Sequence, residues 1–216
     1  MSETPADWPA ATEQALLDET LKLAPLHGWT GRTAKLAGKA LGLSAGETEL
    51  LIPHGPADLA ALLSRRHDDR ALAALAEVHA SNLKIRERIR RAVEARLDAA
   101  DADAPATRRW MGHLALPQNL ALGARLAWES ADVLWCWAGD TATDENHYTK
   151  RALLAGILTG AMAVRMSAGR QAALEFTDRR IENVMAFEKW KATTTFRPET
   201  WLADVAQRLG RRRYGA

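Results

Sequence analysis

The chain has 216 residues, 47% hydrophobic and 26% charged, with a formal net charge of +2 at pH 7. That length is ample for a core, and so small an excess of cations does not by itself indicate a nucleic-acid partner. The single Cys136 excludes an internal disulfide and, with no Cys or His neighbour at zinc spacing, a structural zinc site.

Alanine and leucine are abundant and β-branched and aromatic residues sparse, so helix is favoured throughout. The start, M-S-E-T-P-A-D-W-P-A-A, is acidic and the first arginine is Arg32, which is not the pattern of a secretory or mitochondrial leader. A cytoplasmic protein is therefore expected. The longest uncharged apolar run, Ala152 to Val164, is shorter than the about 20 residues a bilayer-spanning helix needs.

In chain order, apolar spacing predicts a first helix over 10–23, closed by Pro25 and Gly28, and a short second helix over 33–40. Ser44 is the predicted N-cap of a third, with Glu47 as its capping-box partner. Pro53 to Pro56 break the chain, and another helix begins near Ala57. One long amphipathic helix is predicted over 72–97, followed by an Ala/Asp-rich link. Pro117 opens a helix reaching Trp137 whose buried stripe is Leu120, Ala124, Ala127, Trp128, Ala131, Leu134 and Trp135. After a polar loop come helices over 146–166 and 171–190, a linker over 191–198 and a final amphipathic helix over 199–213.

The expected architecture is all-α. A degenerate helix-turn-helix head of three short helices (1–55) sits on a longer helical body (56–191), with a linker and an amphipathic C-terminal helix beyond (192–216). This is the layout of TetR-type regulators. The third helix, however, offers Glu47 and Glu49 and no cation, where a major-groove reader needs Arg, Lys, Asn or Gln. The arginines of 83–96, including Arg96, interleave with Glu87 and Glu94 and are taken as a solvated face.

No nucleophile, P-loop, dinucleotide or metal-ligand motif occurs, so neither enzyme activity nor a metal or other cofactor is expected. Trp128, Leu134 and Trp137, facing Leu153, Leu154, Ile157, Leu158 and Met162 on the next helix, are the candidate lining of an apolar cavity for an apolar ligand. Ala152, Gly156 and Gly160 share a face of that helix and suit close helix crossing or space for a ligand. Near the C-terminus Trp201, Leu202, Val205 and Leu209 share a face rimmed by Arg208, Arg211, Arg212 and Arg213, the pattern of a helix that binds a membrane surface.

The segment A-G-D-T-A-T-D-E-N-H-Y-T-K-R-A-L-L-A-G-I-L, residues 138–158, resembles the signature of the lipid-binding accessory proteins of ubiquinone biosynthesis. G-W-T at 28–30, A-L-G-L-S at 40–44 and P-H-G-P-A-D-L at 53–59 extend the likeness into the head. The resemblance implies a TetR-like homodimer that does not bind DNA and is not an enzyme. Such a protein binds isoprenoid lipid or a ubiquinone precursor at the membrane surface and presents it to a quinone hydroxylase, here as a cytoplasmic protein peripheral to the inner membrane. By position, the resemblance assigns Asp140, Asp144, Asn146, His147, Tyr148, Thr149, Lys150 and Arg151 to the partner-docking patch. His147 and Ala142 stand where the family usually has Trp and Ser, and an aromatic anchor at an interface is a frequent hot spot. The rival expectations are a TetR-type regulator with an apolar inducer and, more remotely, an enzyme with an unrecognised helical site.

Overall fold

The computed structural model describes residues 8–140 and 145–193, and all regular structure among them is helical. Helix α1 (Trp8–His27) carries Pro25 in its last turn and ends at Gly28, whose φ of +75° favours glycine. Helix α2 (Gly31–Ala40) begins two residues earlier than predicted, because Thr30 caps it by accepting the Thr33 N–H at 3.2 Å. Helix α3 (Ala45–Leu51) opens on the expected capping box: Ser44 Oγ accepts from the Glu47 amide at 3.2 Å, and Glu47 accepts from the Ser44 amide at 2.8 Å. Gly38 lets α2 and α3 approach closely, since a Cβ there would lie 2.3 Å from Thr48 Oγ1.

Helix α4 (Pro56–Ala74) starts with proline in its first turn. The single helix predicted over 72–97 is in fact two. α4 stops at Ala74, a 3-10 turn spans Ala80–Asn82, and α5 covers Ile85–Asp101. Ser81 and Asn82 are weak helix formers, and Arg88 fastens the turn by donating from Nε to the Leu83 carbonyl at 2.9 Å and from Nη1 to the Ala138 carbonyl at 2.7 Å. The Ala/Asp-rich link shrinks to two residues before α6 (Ala104–Leu114), a helix the sequence reading did not separate. A 3-10 turn over Pro117–Asn119 then leads into α7 (Leu120–Trp137).

The buried stripe of α7 is rotated from the predicted one. Leu126, Ser130, Ala131 and Leu134 are inside, while Leu120 is 57% exposed and Ala124 is also exposed. Helix α8 (Glu145–Thr193) is broken at Gly169, whose φ of +87° and ψ of −176° lie in a region open essentially to glycine alone. The break falls between the two helices predicted there. Beyond it the chain turns back, so that a Cβ on Gly160 would lie 2.6 Å from Phe176 Cζ.

One apolar core runs through head and body alike: Leu16 and Leu17 of α1, Trp29, Ala37 of α2, Leu59 to Leu63 of α4, Trp110 of α6 and Leu126 of α7. The tryptophans use their indole N–H as a tie. Trp29 donates to the Pro56 carbonyl at 2.9 Å and Trp110 to the Ala60 carbonyl at 3.1 Å. Ion pairs bind α8 to α5: Arg165 reaches Asp98 at 2.9 Å and also Asp101, and Arg170 reaches Asp98 at 3.2 Å and also Glu94. This compact unit extends to Thr177, and a second unit begins at Asp178, whose described part is the mostly exposed end of α8. Contrary to the expectation from Ala152–Val164 alone, the stretch His147–Ala186 meets the length and composition of a membrane span, with a window of mean hydropathy 1.4 of which 33% is buried within the protein.

Candidate functional site

Helices α4 to α8 line a partly open apolar cavity of about 560 Å³, within the range of small-molecule sites. Its origin is a shortage of side chains. Gly123, Ala124 and Ala127 of α7 present almost nothing to Trp110, Met111 and Leu114 of α6 or to Leu158 and Met162 of α8, so the helices separate without filling the gap. Close packing is otherwise the more stable arrangement, which makes an unfilled interior a feature to explain.

One end of the cavity is polar. Ser64 of α4, Arg96 of α5 and Ser130 of α7 line it. Arg96 donates from Nε to Asp68 Oδ1 at 2.5 Å, and Ser130 Oγ donates to Asp68 Oδ2 at 2.9 Å. The Ser64 and Ser130 hydroxyls lie 3.4 Å apart, and Arg96 Nη2 is 3.5 Å from Ser64 Oγ. Burial pushes the Asp68 carboxyl up, opposed by the Arg96 cation and the Ser130 hydrogen bond. Beside this cluster His67 is fully buried, edge-on to Trp110 with centroids 6.2 Å apart. Burial lowers its pKa to about 4 against the pull of Asp103, whose Oδ2 lies 3.4 Å from His67 Nε2.

Of the residues proposed from sequence to line a cavity, Leu158 and Met162 do so. Leu134, Leu154 and Ile157 are buried but lie outside the lining, so they are core packing. Leu153 is 40% exposed and also lies outside the lining. Trp128 and Trp137 are half-buried and also outside the lining. Trp128 stacks at a tilt on Tyr148, with centroids 6.1 Å apart. The sequence reading missed the α4–α6 wall, including Ser64, Arg96 and Trp110, because which helices pack together is not encoded in the periodicity of any one of them. It also misassigned Arg96. This residue is no part of a solvated face: it is 3% exposed and occupies a core position on α5 between Ala92 and Ala100.

The signature loop divides by function. Asp140 receives Lys150 at 2.6 Å and Arg151 at 3.0 Å, and Arg151 also grips Asp132 at 2.5 Å. Arg151 is 2% exposed and ties α8 to α7 from within, so it is not presented to a partner as the docking assignment required. Trp135 adds a hydrogen bond from Nε1 to the Lys150 carbonyl at 3.0 Å, with the Lys150 ammonium 5.5 Å from its ring centroid. Tyr148, 64% exposed and edge-on to His147, is the accessible aromatic of the segment. Asp144 lies outside the described residues, as does the side chain of Asn146. The membrane-helix residues Trp201, Leu202, Val205, Arg208, Leu209, Arg211 and Arg212 also fall outside them.

Residues 120–188, which include α7, the signature loop and most of α8, match the COQ9 family profile. The chain is 31% identical over 184 residues to the rat (Rattus norvegicus) protein named ubiquinone biosynthesis protein COQ9, mitochondrial, an alignment covering 80% of this chain and 58% of that one. The Bos taurus protein of the same name is 30% identical over 187 residues, covering 80% of this chain and 57% of its own, and the Homo sapiens protein is 30% identical over 162 residues, covering 71% and 50%. The chain is a homologue of COQ9. It spans under three-fifths of the length of these COQ9 relatives. The COQ9 match contains the small-residue stretch of α7 and the Leu158 and Met162 wall of α8, and it contains the Asp132, Asp140, Lys150 and Arg151 clasp.

Proposed function

We propose that this chain is a non-catalytic carrier in ubiquinone biosynthesis: it shelters an isoprenoid lipid or quinone precursor and presents it to a membrane-associated hydroxylase of the pathway. The observation that carries the reading is the apolar cavity of about 560 Å³ between α4 and α8, in a chain whose homologues are named ubiquinone biosynthesis proteins. Leu120, Thr159 and Ala163 line the cavity and are exposed, which gives a chain-like ligand a way in along the α7–α8 side. In this reading the protein works as a homodimer at the inner-membrane surface from the cytoplasmic side. Residues 198–216 supply the amphipathic contact with lipid, and Tyr148 and His147 contribute to the hydroxylase-docking patch.

The rival reading as a DNA-binding regulator gains nothing from α3, a seven-residue helix whose two ionisable side chains are Glu47 and Glu49. The test is native mass spectrometry of the purified protein with lipid extraction. Recovery of polyprenyl quinones or their precursors is expected. Protein that carries no apolar cargo, and acquires none from polyprenyl quinone vesicles, would overturn the carrier reading.

A further inference from the structure

The cavity has a built-in donor without an acceptor. Arg96, 3% exposed, lines the cavity, and its Nη1 is buried without a hydrogen-bond partner. Its other two nitrogens are engaged, Nε on Asp68 and Nη2 at the edge of hydrogen-bond range of Ser64. Buried guanidinium donors are rarely left open, because the desolvation is not recovered. The positive charge is already matched by Asp68 at 2.5 Å, and His67 is neutral near pH 7, with its pKa at about 4. The polar end therefore offers a hydrogen-bond donor but no spare cation. A carboxylate or phosphate placed there would be an uncompensated charge in an apolar interior, whereas a neutral carbonyl or ring oxygen meets the donor at no such cost.

We propose that Arg96 is the head-group reader of the cavity: Nη1 donates to an uncharged oxygen of the ligand's head, and the apolar chain runs along Met111, Leu114, Leu126, Leu158 and Met162. The assignment rests on the carrier reading of this cavity and adds to it a selection by head-group chemistry. Ser64 and Ser130 flank the same end and hold the Arg96–Asp68 pair in place.

The test uses the delipidated 216-residue chain and displacement of the neutral fluorescent probe N-phenyl-1-naphthylamine by three short ligands: decylubiquinone, its carbonyl-free counterpart 1-phenyldecane, and decanoate. Decylubiquinone is expected to bind at least about tenfold more tightly than either of the others, the worth of one charge-assisted hydrogen bond. Arg96→Lys keeps a cation for Asp68 but loses the planar array of donors, and it should erase the preference for the quinone over 1-phenyldecane. Equal binding of decylubiquinone and 1-phenyldecane to the wild type, tighter binding of decanoate, or an unaltered preference in Arg96→Lys would each overturn the assignment and leave the carrier reading standing. Failure of all three ligands to displace the probe would overturn both. The wild-type ligand series is decisive on its own if Arg96→Lys does not fold.

Discussion

His67 is a histidine kept neutral by its surroundings. Its ring is wholly buried against Trp110, and burial lowers its pKa from 6.5 to about 4 despite the nearby Asp103 carboxylate. The unfolded chain therefore binds more protons than the folded one between those two pH values, and stability rises with pH across that window. The contribution is fully present above about pH 6.5 and is lost as pH falls toward 4, on the order of 3 kcal/mol in all. Urea unfolding of wild type and His67→Phe from pH 7 to pH 4 should show a steeper loss for the wild type. Parallel slopes would mean that burial does not hold the ring neutral. Nothing in the sequence marks His67, since one histidine on a helix is not told apart from a surface one by spacing alone. Arg96 was more legible than it was taken to be: it stands at the helical period of Ile89, Ala92, Val93 and Ala100, and a cation on an apolar stripe signals a buried partner.

At the scale of elements, the sequence predicted best where local chemistry decides. The Ser44–Glu47 capping box and the break between the two halves of α8 depend on neighbouring residues and are as expected, whereas Pro25 does not end the first helix, which runs through it to His27 before Gly28. The division of the predicted 72–97 helix and the rotation of the α7 stripe depend on contacts across the fold, such as Arg88 reaching the Ala138 carbonyl, which no local window contains. The glycines of α8, grouped by sequence, have different surroundings. Gly156 has open space where a Cβ would go, while at Gly160 a Cβ meets Phe176 at 2.6 Å. Gly156→Ala should therefore stabilise by about 0.5–1 kcal/mol through helix propensity. Gly160→Ala should gain nothing, since the ring must swing aside, leaving the two variants about 1 kcal/mol apart. Denaturant titration of both, with and without Phe176→Ala, checks this: the difference should vanish once the ring is gone.

At the scale of the molecule, a shared core makes the head part of the structure that holds α4, α6 and α7 in place around the cavity. The hydrophobic pattern announced the all-helical structure of the described residues, and the signature lies within the segment that matches the COQ9 profile. The cavity itself was only partly foreseen, because emptiness arises from small residues on α7 meeting large ones on two other helices. Ala127→Phe sets occupancy against packing. Filling the void should raise the Tm of delipidated protein by about 2–4 °C, the effect of about 1 kcal/mol in a chain this long, while the lipid recovered on purification falls. A Tm gain with undiminished lipid would place the cargo elsewhere.

The bend at Gly169 decides what kind of object α8 is. Sixteen residues separate Gly160 from Phe176, about 24 Å along an unbroken helix, yet the two touch. The backbone at this one residue thus converts a rod into a hairpin, whose first half carries the Leu158 and Met162 side of the cavity. Saturation mutagenesis scored by retained lipid should find position 169 intolerant of every side chain, alanine included, because each would favour the straightened form. The exposed neighbours Ser167 and Ala168 should accept most replacements.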